Sequence, residues 1–209
     1  MEPLFIDIET RRTSDLALIK RISSKVKPPG SYKKPETIQK WWAEEGEAAR
    51  TAAIEETALN GTYGRLASVA WAYGDDHVEC ISGESEHDML FAIKEMLSLR
   101  GDKIVAFNGD FDLRFIFQRM VILGGAPPRA LRRALNDKGG YIDPMKDWAG
   151  FRGYVSQADL AAAMGIETTD ATTGADMAAL IDAGDWPAVQ AHNIADVETL
   201  RNIYQRMYA

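Results

Sequence analysis

The segment from Phe5 to Thr10, Phe-Ile-Asp-Ile-Glu-Thr, constrains the fold more than any other part of the sequence. Its apolar and β-branched residues predict a strand in which alternate residues from Leu4 onward face one way. Asp7 and Glu9 then share the other face, about 6–7 Å apart at the backbone. Such a strand suits the centre of a sheet, where two carboxylates are unfavourable unless paired or bound to a hard divalent cation. The alternative is an edge strand whose outer face carries solvated acids.

Composition favours one globular domain. The 209 residues are 46% hydrophobic and 26% charged, and a chain of this length can bury a sizeable core. No apolar run approaches the roughly 20 residues that span a bilayer, and no signal peptide is visible. Cys80 is the only cysteine, which excludes an internal disulfide and a cysteine-based zinc site. We therefore expect a cytoplasmic protein that does not bind membranes.

The charge is distributed unevenly along the chain. A net charge of −7 argues against a broad nucleic-acid-binding surface. The stretch from Arg11 to Lys40, however, contains nine basic residues and only two acids, Asp15 and Glu36. This distribution is typical of an enzyme that holds a polyanion at one edge and metal ions in an acidic pocket.

Residues 11–62 are predicted to be an insertion after the first strand. Its first half is basic and contains Pro28-Pro29-Gly30, which predicts a loop. Its second half, residues 35–59, is rich in Ala and Glu and predicts one or two helices. Trp41 and Trp42 lie within them. The favoured interpretation buries one of the two, and the alternative makes Tyr32, a Trp and neighbouring lysines a stacking platform for single-stranded nucleic acid.

The remaining chain alternates between strands and helices. Strands are predicted at 66–73, 77–82, 103–107 and 141–143, with a hairpin turn at 74–76. Helices are predicted at 86–99, 112–123, 126–137, 157–164, 175–181 and 186–208. This succession indicates a single α/β domain over 1–209, with a mixed sheet and helices on both of its faces.

A second acidic motif runs from a predicted strand into a helix at residues 105–112. Asp110 is placed to be the N-cap of the helix, and that leaves Asp112 as the functional candidate. Acids at the carboxyl end of a strand lie where open α/β sheets place their sites. Asp143, at the end of a short predicted strand, is interpreted as structural.

The last predicted helix carries a third motif, and Asp185 is its predicted cap. Its core-facing stripe consists of Val189, His192, Asp196, Leu200, Ile203 and Met207. A lone inward histidine is usually a core residue. His192, however, lies one helical turn from an inward acid in a chain that already holds Asp7 and Glu9.

These three motifs resemble those of a known family. Asp-Ile-Glu-Thr at 7–10, Asn-x-x-Phe-Asp at 108–112 and His-x-x-x-Asp at 192–196 are similar to the exonuclease motifs of the DEDD superfamily, the DnaQ-like 3′–5′ exonucleases. Residues 196–200 and the insertion at 32–38 resemble stand-alone phage and bacterial relatives of the family B DNA polymerase proofreading domain. One branch of the superfamily has His five positions before the last Asp and the other has Tyr four before it. This chain has His at the Tyr spacing.

The resemblance implies an RNase H-like fold with a mixed five-stranded sheet, and it implies roles for particular residues. Asp7, Glu9 and Asp196 would hold one metal ion. Asp7 and Asp112 would hold a second, and both ions would be Mg²⁺ or Mn²⁺. His192 would orient or deprotonate the attacking water. The expected contacts to nucleic acid are Thr10, Asn108, Phe111, Tyr32, Lys33, Lys34 and Trp41.

The implied activity is that of a metal-dependent 3′–5′ exonuclease that releases 5′-mononucleotides. Single-stranded DNA is the favoured substrate, and RNA is an alternative. We expect the protein in the cytoplasm of a bacterial or phage-infected cell, and a replication or recombination protein is a further candidate partner. One alternative is a non-catalytic nucleic-acid-binding module or accessory subunit on the same fold. Another is a hydrolase of small phosphate esters, which the aromatic and basic insertion argues against.

Overall fold

A computed structural model describes residues 2–100, 103–150, 152–168, 170 and 172–208. The chain divides into two compact units. The inserted unit is Thr10–Arg65, and the core unit comprises Met1–Glu9 and Leu66–Ala209. Whether the whole chain is one domain with an insertion at 11–62 stays a prediction.

The core unit is built on a mixed four-stranded sheet. Its strands are β1 (Leu4–Arg11), β2 (Arg65–Tyr73), β3 (Glu79–Ser82) and β4 (Ile104–Val105), in the order β3-β2-β1-β4. β1 pairs with β4 in parallel, and β2 pairs with β3 antiparallel. Because β1 lies between β2 and β4, its acids are on a central strand, and the edge-strand alternative is wrong.

The predicted fifth strand is wrong, because residues 141–143 form no strand. Ile142 makes a single parallel bridge to Val105. Pro144 then occupies the first turn of a helix, and the side chain of Asp143 caps that helix by accepting from the Lys146 N–H. A proline at this position cannot donate to a ladder, so the pairing ends after one residue.

The helices agree with the predictions over most of the chain. They are α1 (Leu16–Ser23), α2 (Pro35–Glu44), α3 (Gly46–Glu55), α4 (Glu86–Arg100), α5 (Gly109–Ile122), α6 (Arg129–Asn136), α7 (Pro144–Ala149), α8 (Gln157–Ala163), α9 (Gly174–Ala183) and α10 (Trp186–Tyr208). The loop predicted for the basic half of the insertion is wrong at α1, which Asp15 caps by accepting from two backbone N–H groups. α7 was not predicted. No helix in the described ranges combines the length and the apolar character needed to cross a membrane.

Helices pack on both faces of the sheet, as the alternation along β1 requires. Leu4, Ile6 and Ile8 are buried in a cluster with residues of α4, α5 and α6. Phe5 points the other way, into a cluster that contains Val197 and other residues of α10. The part of β1 that precedes Asp7 is therefore apolar on both faces of the sheet.

The inserted unit consists of α1, α2, α3 and a short 3₁₀ turn at Glu56–Leu59. The prediction that one tryptophan is buried is wrong. Trp41 is half-buried and Trp42 is exposed. The two rings pack edge to face with centroids 4.9 Å apart, and Trp42 lies over Gly46. The Arg50 guanidinium covers the Trp42 ring at 5.0 Å.

Candidate metal centre

The acids of β1 lie beside the first turn of α5. Asp7 and Glu9 are half-buried on β1, and Asp112 is buried on α5. One carboxylate oxygen of Asp112 accepts a hydrogen bond from the Ile8 N–H at 3.3 Å, between the two acids of the strand. This bond brings together two motifs that are more than a hundred residues apart in the sequence.

The start of α5 is held by Asp143. Its carboxylate accepts from the backbone N–H of Asn108 at 3.0 Å and of Gly109 at 3.1 Å. Asn108 adopts the left-handed conformation, with φ of 54°, which asparagine tolerates better than most residues. A Cβ on Gly109 would meet Ala106 and Tyr141 side-chain atoms at 2.8 Å, so only glycine fits. Asp143 thus has the structural role that was assigned to it.

The prediction that Asp110 is the N-cap is wrong. The cap position is Asn108, whose side chain makes no capping bond, and Asp110 lies inside the first turn of α5. Its carboxylate accepts instead from Tyr141 Oη at 3.0 Å and from Lys146 Nζ at 2.5 Å. The left-handed turn at Asn108 starts the helix two residues earlier than the cap assignment required.

α10 brings the third motif to the acids of β1. His192 and Asp196 are half-buried, with side-chain exposures of 13% and 35%. His192 Nε2 lies 3.3 Å from Glu9 Oε1 and 3.2 Å from Asp196 Oδ2. Ligand atoms of these three residues all lie within 4.8 Å of one another. We call Asp7, Glu9, Asp112, His192 and Asp196 the acidic cluster.

Asp170 was not predicted, although it contacts the cluster. Its carboxylate is hydrogen-bonded to His192 Nδ1, and its other oxygen accepts from Thr172 Oγ1 at 2.7 Å. The ring of His192 is thereby held from both nitrogens. Asp170 itself belongs to no helix or strand, and the sequence before α9 has no hydrophobic period to show that its side chain points inward.

Asn193 was also missed, although the sequence contains a signal for it. It is fully buried on α10, and its Nδ2 donates to Asp7 Oδ2 at 2.6 Å. Its Oδ1 accepts from the buried hydroxyl of Ser68 at 2.7 Å. Position 193 follows Val189 by four residues and precedes Asp196 by three, so helical spacing could have placed it on the inward face.

Burial and like charge dominate the electrostatics of the acids. Burial, with the carboxylates of Asp112, Asp196 and Glu9 nearby, raises the pKa of Asp7 well above its usual value. Burial also raises the pKa of Asp112 to about 8 and that of Asp196 to about 6. Each of these side chains would bind a proton, or a cation, more readily than a solvated acid.

The pKa of His192 is set by two opposing effects, burial and hydrogen bonds to neighbouring carboxylates. Burial by itself would lower the pKa of His192, but hydrogen bonds to Glu9 and Asp170 raise it to about 9. Burial opposes ionisation of Asp170, yet hydrogen bonds from Thr172 and His192 lower its pKa. At neutral pH the imidazolium therefore supplies positive charge inside the acidic cluster.

The donor set of the cluster fits a hard divalent cation. It offers carboxylate oxygens from β1, α5 and α10, with one imidazole nitrogen among them. Oxygen ligands suit Mg²⁺ and Mn²⁺, and Asp7 lies close enough to the carboxylates of Asp112, Asp196 and Glu9 for them to add to the effect of burial on its pKa. Asp7, Glu9, Asp112 and Asp196 are the residues that could hold such ions.

A cavity of about 300 Å³ adjoins the cluster. It is lined by His192, Asp196 and Asp170 and by polar side chains that include Gln157 and Thr199. Gln157 Nε2 donates to the backbone carbonyl of Asp196 at 3.0 Å. The cavity gives small solutes access to one side of Asp196 and His192.

The predicted nucleic-acid contacts lie in both units. Thr10 ends the run of acids on β1 and is half-buried, and Phe111 is half-buried with its ring 5.7 Å from that of Phe115. In the inserted unit Tyr32, Lys33 and Lys34 are exposed ahead of α2, the helix that carries Trp41. Their contact with nucleic acid stays a prediction.

Comparison with solved structures supports the fold. The chain is similar to the family B DNA polymerase from the hyperthermophilic archaeon Pyrobaculum calidifontis, with a TM-score of 0.57 and 12% sequence identity. The two share a fold. The likeness covers 98% of this chain and 24% of the polymerase, so the chain spans about a quarter of that protein. The sequence matches no protein-family model and no sequence of a curated protein.

Proposed function

We propose that this chain is a metal-dependent 3′–5′ exonuclease that releases 5′-mononucleotides, with single-stranded DNA as its favoured substrate. The observation that carries the proposal is the convergence of Asp7, Glu9, Asp112, His192 and Asp196 from β1, α5 and α10. The polymerase likeness supports it at the level of the fold, because it extends over nearly the whole chain. DEDD membership is part of the same proposal and rests on the three motifs.

Different sets of carboxylates in this chain would bind two divalent cations. Asp7, Glu9 and Asp196 would hold one ion, and Asp7 with Asp112 would hold a second. Two divalent ions bound there would activate a water molecule and stabilise the leaving 3′ oxygen.

His192 would orient the attacking water and take up its proton. Its Nδ1 is held by Asp170, so Nε2 is the nitrogen that faces the reaction site and the acids. Because its pKa is about 9, the ring carries a proton at neutral pH and must release it before it can act as a base.

The inserted unit would hold the single strand. Tyr32 is 38% exposed and would supply an aromatic ring for stacking, and Trp41, half-buried beside Trp42, would supply a second. Lys33 and Lys34 are exposed next to Tyr32 and would contact phosphates. Base–aromatic stacking contributes about 1–3 kcal/mol per base and does not depend on sequence.

Digestion of end-labelled oligonucleotides tests the proposal. Single-stranded DNA and RNA carrying a 5′ label are incubated with Mg²⁺, Mn²⁺ or chelator. We expect metal-dependent shortening from the 3′ end, release of 5′-mononucleotides, and no product with chelator or with Asp7→Asn. Binding without cleavage would instead favour a non-catalytic module. Small phosphate esters are assayed in parallel. Their cleavage, while the oligonucleotides stay uncleaved, would favour the hydrolase of small phosphate esters.

A further inference from the structure

Asn193 connects the candidate metal centre to the interior of the sheet. It is fully buried on α10, and it is adjacent in sequence to His192. His192 contacts Glu9, whereas the Asn193 side-chain amide donates to Asp7 Oδ2 at 2.6 Å. Consecutive residues of one helix thus contact the two acids of β1.

The direction of the Asn193 amide is fixed by its other partner. Ser68, a fully buried residue of β2, donates its hydroxyl hydrogen to Asn193 Oδ1 at 2.7 Å. Cys80 Sγ lies 3.2 Å from the same hydroxyl oxygen. A flipped amide would turn its oxygen toward the carboxylate of Asp7 and lose both hydrogen bonds, which is costly in a buried site.

The bond to Asn193 restrains the carboxylate of Asp7. It uses a lone pair of Oδ2 and limits rotation about the last side-chain bond, which leaves Oδ1 for other partners. The donor is also neutral. A lysine or arginine at this position would satisfy Asp7 but would cancel the negative charge that attracts a cation, whereas an amide orients the carboxylate and leaves its charge in place.

We propose that Asn193, held by Ser68, is a positioning residue that orients Asp7 for binding of a divalent cation. This inference rests on the proposed function, because it takes Asp7 to be a metal ligand. It goes further by assigning part of the affinity of the site to an amide and a hydroxyl that are both 0% exposed.

Titration of the full-length chain with Mn²⁺ alone tests the inference, with free Mn²⁺ followed by electron paramagnetic resonance. We expect Asn193→Ala to raise the Mn²⁺ dissociation constant by about 10–100-fold, the usual cost of losing a residue that orients a metal ligand. Ser68→Ala keeps the amide but frees its direction, so we expect a smaller increase. No nucleic acid is present, so the result does not depend on nuclease turnover.

A matched control separates positioning from simple loss of stability. Tyr73 Oη donates to the backbone carbonyl of Met96 at 2.9 Å on the opposite side of the sheet. Tyr73→Phe should lower the melting temperature while leaving the Mn²⁺ dissociation constant at the wild-type value. If Asn193→Ala does not fold, Ser68→Ala decides the question by the same comparison.

Two results would overturn the inference. One is a folded Asn193→Ala or Ser68→Ala variant that binds Mn²⁺ as tightly as wild type. The other is a wild-type chain without measurable Mn²⁺ affinity. If the Mn²⁺ affinity of the wild type depends on Asn193 but the wild type digests no oligonucleotide, the exonuclease proposal is contradicted and the positioning role of Asn193 is supported.

Discussion

Glu86 and Arg119 bury opposite charges against each other, whereas Asp7 and Asp112 bury like charges beside Glu9 and Asp196. In the first region, Glu86 accepts from Arg119 Nε and Nη2, both at 2.9 Å, and from the Leu66 N–H. The side chains are 4% and 7% exposed, so this ion pair is matched in charge and in hydrogen bonds.

The acidic cluster lacks such a match. In the part of the chain that the structure describes, His192 is the cation in contact with the cluster, and burial still raises the pKa of both Asp7 and Asp112. The fold therefore pairs the buried carboxylate of Glu86 with a cation but leaves the acidic cluster with an excess of negative charge. Departures of this kind are expected at functional sites, where they serve binding rather than stability.

Removing charge from the cluster should have the largest effect on activity. Asp7→Asn keeps an oxygen that can accept from Asn193 but removes the charge that attracts a cation. We expect a loss of at least about a thousandfold in nuclease rate, equivalent to about 4 kcal/mol of transition-state stabilisation. The metal-free variant should melt no lower than wild type, because one of the repelling acids is gone. A rate near wild type, or a markedly lower melting temperature, would contradict this.

Breaking the matched pair should change stability and leave the chemistry alone. Arg119→Met leaves the Glu86 carboxylate buried without its main partner, and we expect unfolding free energy to fall by about 3–5 kcal/mol. Denaturant unfolding measures this, and nuclease rate per folded molecule should be unchanged. A loss below about 1 kcal/mol would show that this region is not held by the pair.

The histidine should matter less than the acids that it contacts. His192→Ala removes the group that would take up a proton but leaves every carboxylate of the cluster, so we expect a loss of more than about tenfold in rate. Single-turnover digestion measures it, with Mn²⁺ affinity recorded for the same sample. A wild-type rate would assign His192 to packing.

The smallest effect is a pH dependence of stability in the metal-free protein. The folded pKa values of His192, about 9, and Asp112, about 8, both exceed those of an unfolded chain, so the folded state binds more protons. Unfolding free energy should therefore fall as pH rises from about 6.5 to 9, by at least about 1.4 kcal/mol, the equivalent of one pKa unit. Chelator-treated samples melted across this range measure it. A flat or rising profile would contradict the shifts.

Much of the core unit could be predicted from the sequence because its periods are strong. Phe5–Thr10 alternates cleanly, and α10 carries an apolar stripe over six turns, so the strand, the helix and the inward direction of His192 and Asp196 all follow. The alternation of β1 placed Asp7 and Glu9 on one face, and the position of Asp112 where a strand runs into a helix made it a candidate. Their encounter in space is a property of the topology, which the order of the motifs indicated.

The predictions that were wrong lie where turn and capping residues determine the backbone and the hydrophobic periodicity does not. Ile142 makes one bridge before Pro144 diverts the chain, so the fifth strand does not form. The left-handed turn at Asn108 starts α5 early and moves Asp110 inside the helix. Asp170 lies outside the helices and strands, so no period marks it. Helical spacing could place Asn193 on the inward face of α10, but not its contacts with Ser68 and Asp7. A single sequence records neither contact.

Diffraction from crystals soaked in Mn²⁺, measured near the manganese absorption edge, would locate the bound ions. We expect anomalous density bonded to carboxylate oxygens of Asp7, Glu9 and Asp196, with Asp112 close to a second site and Asn193 still donating to Asp7. Density elsewhere, or none within bonding distance of Asp7 at saturating Mn²⁺, would contradict it.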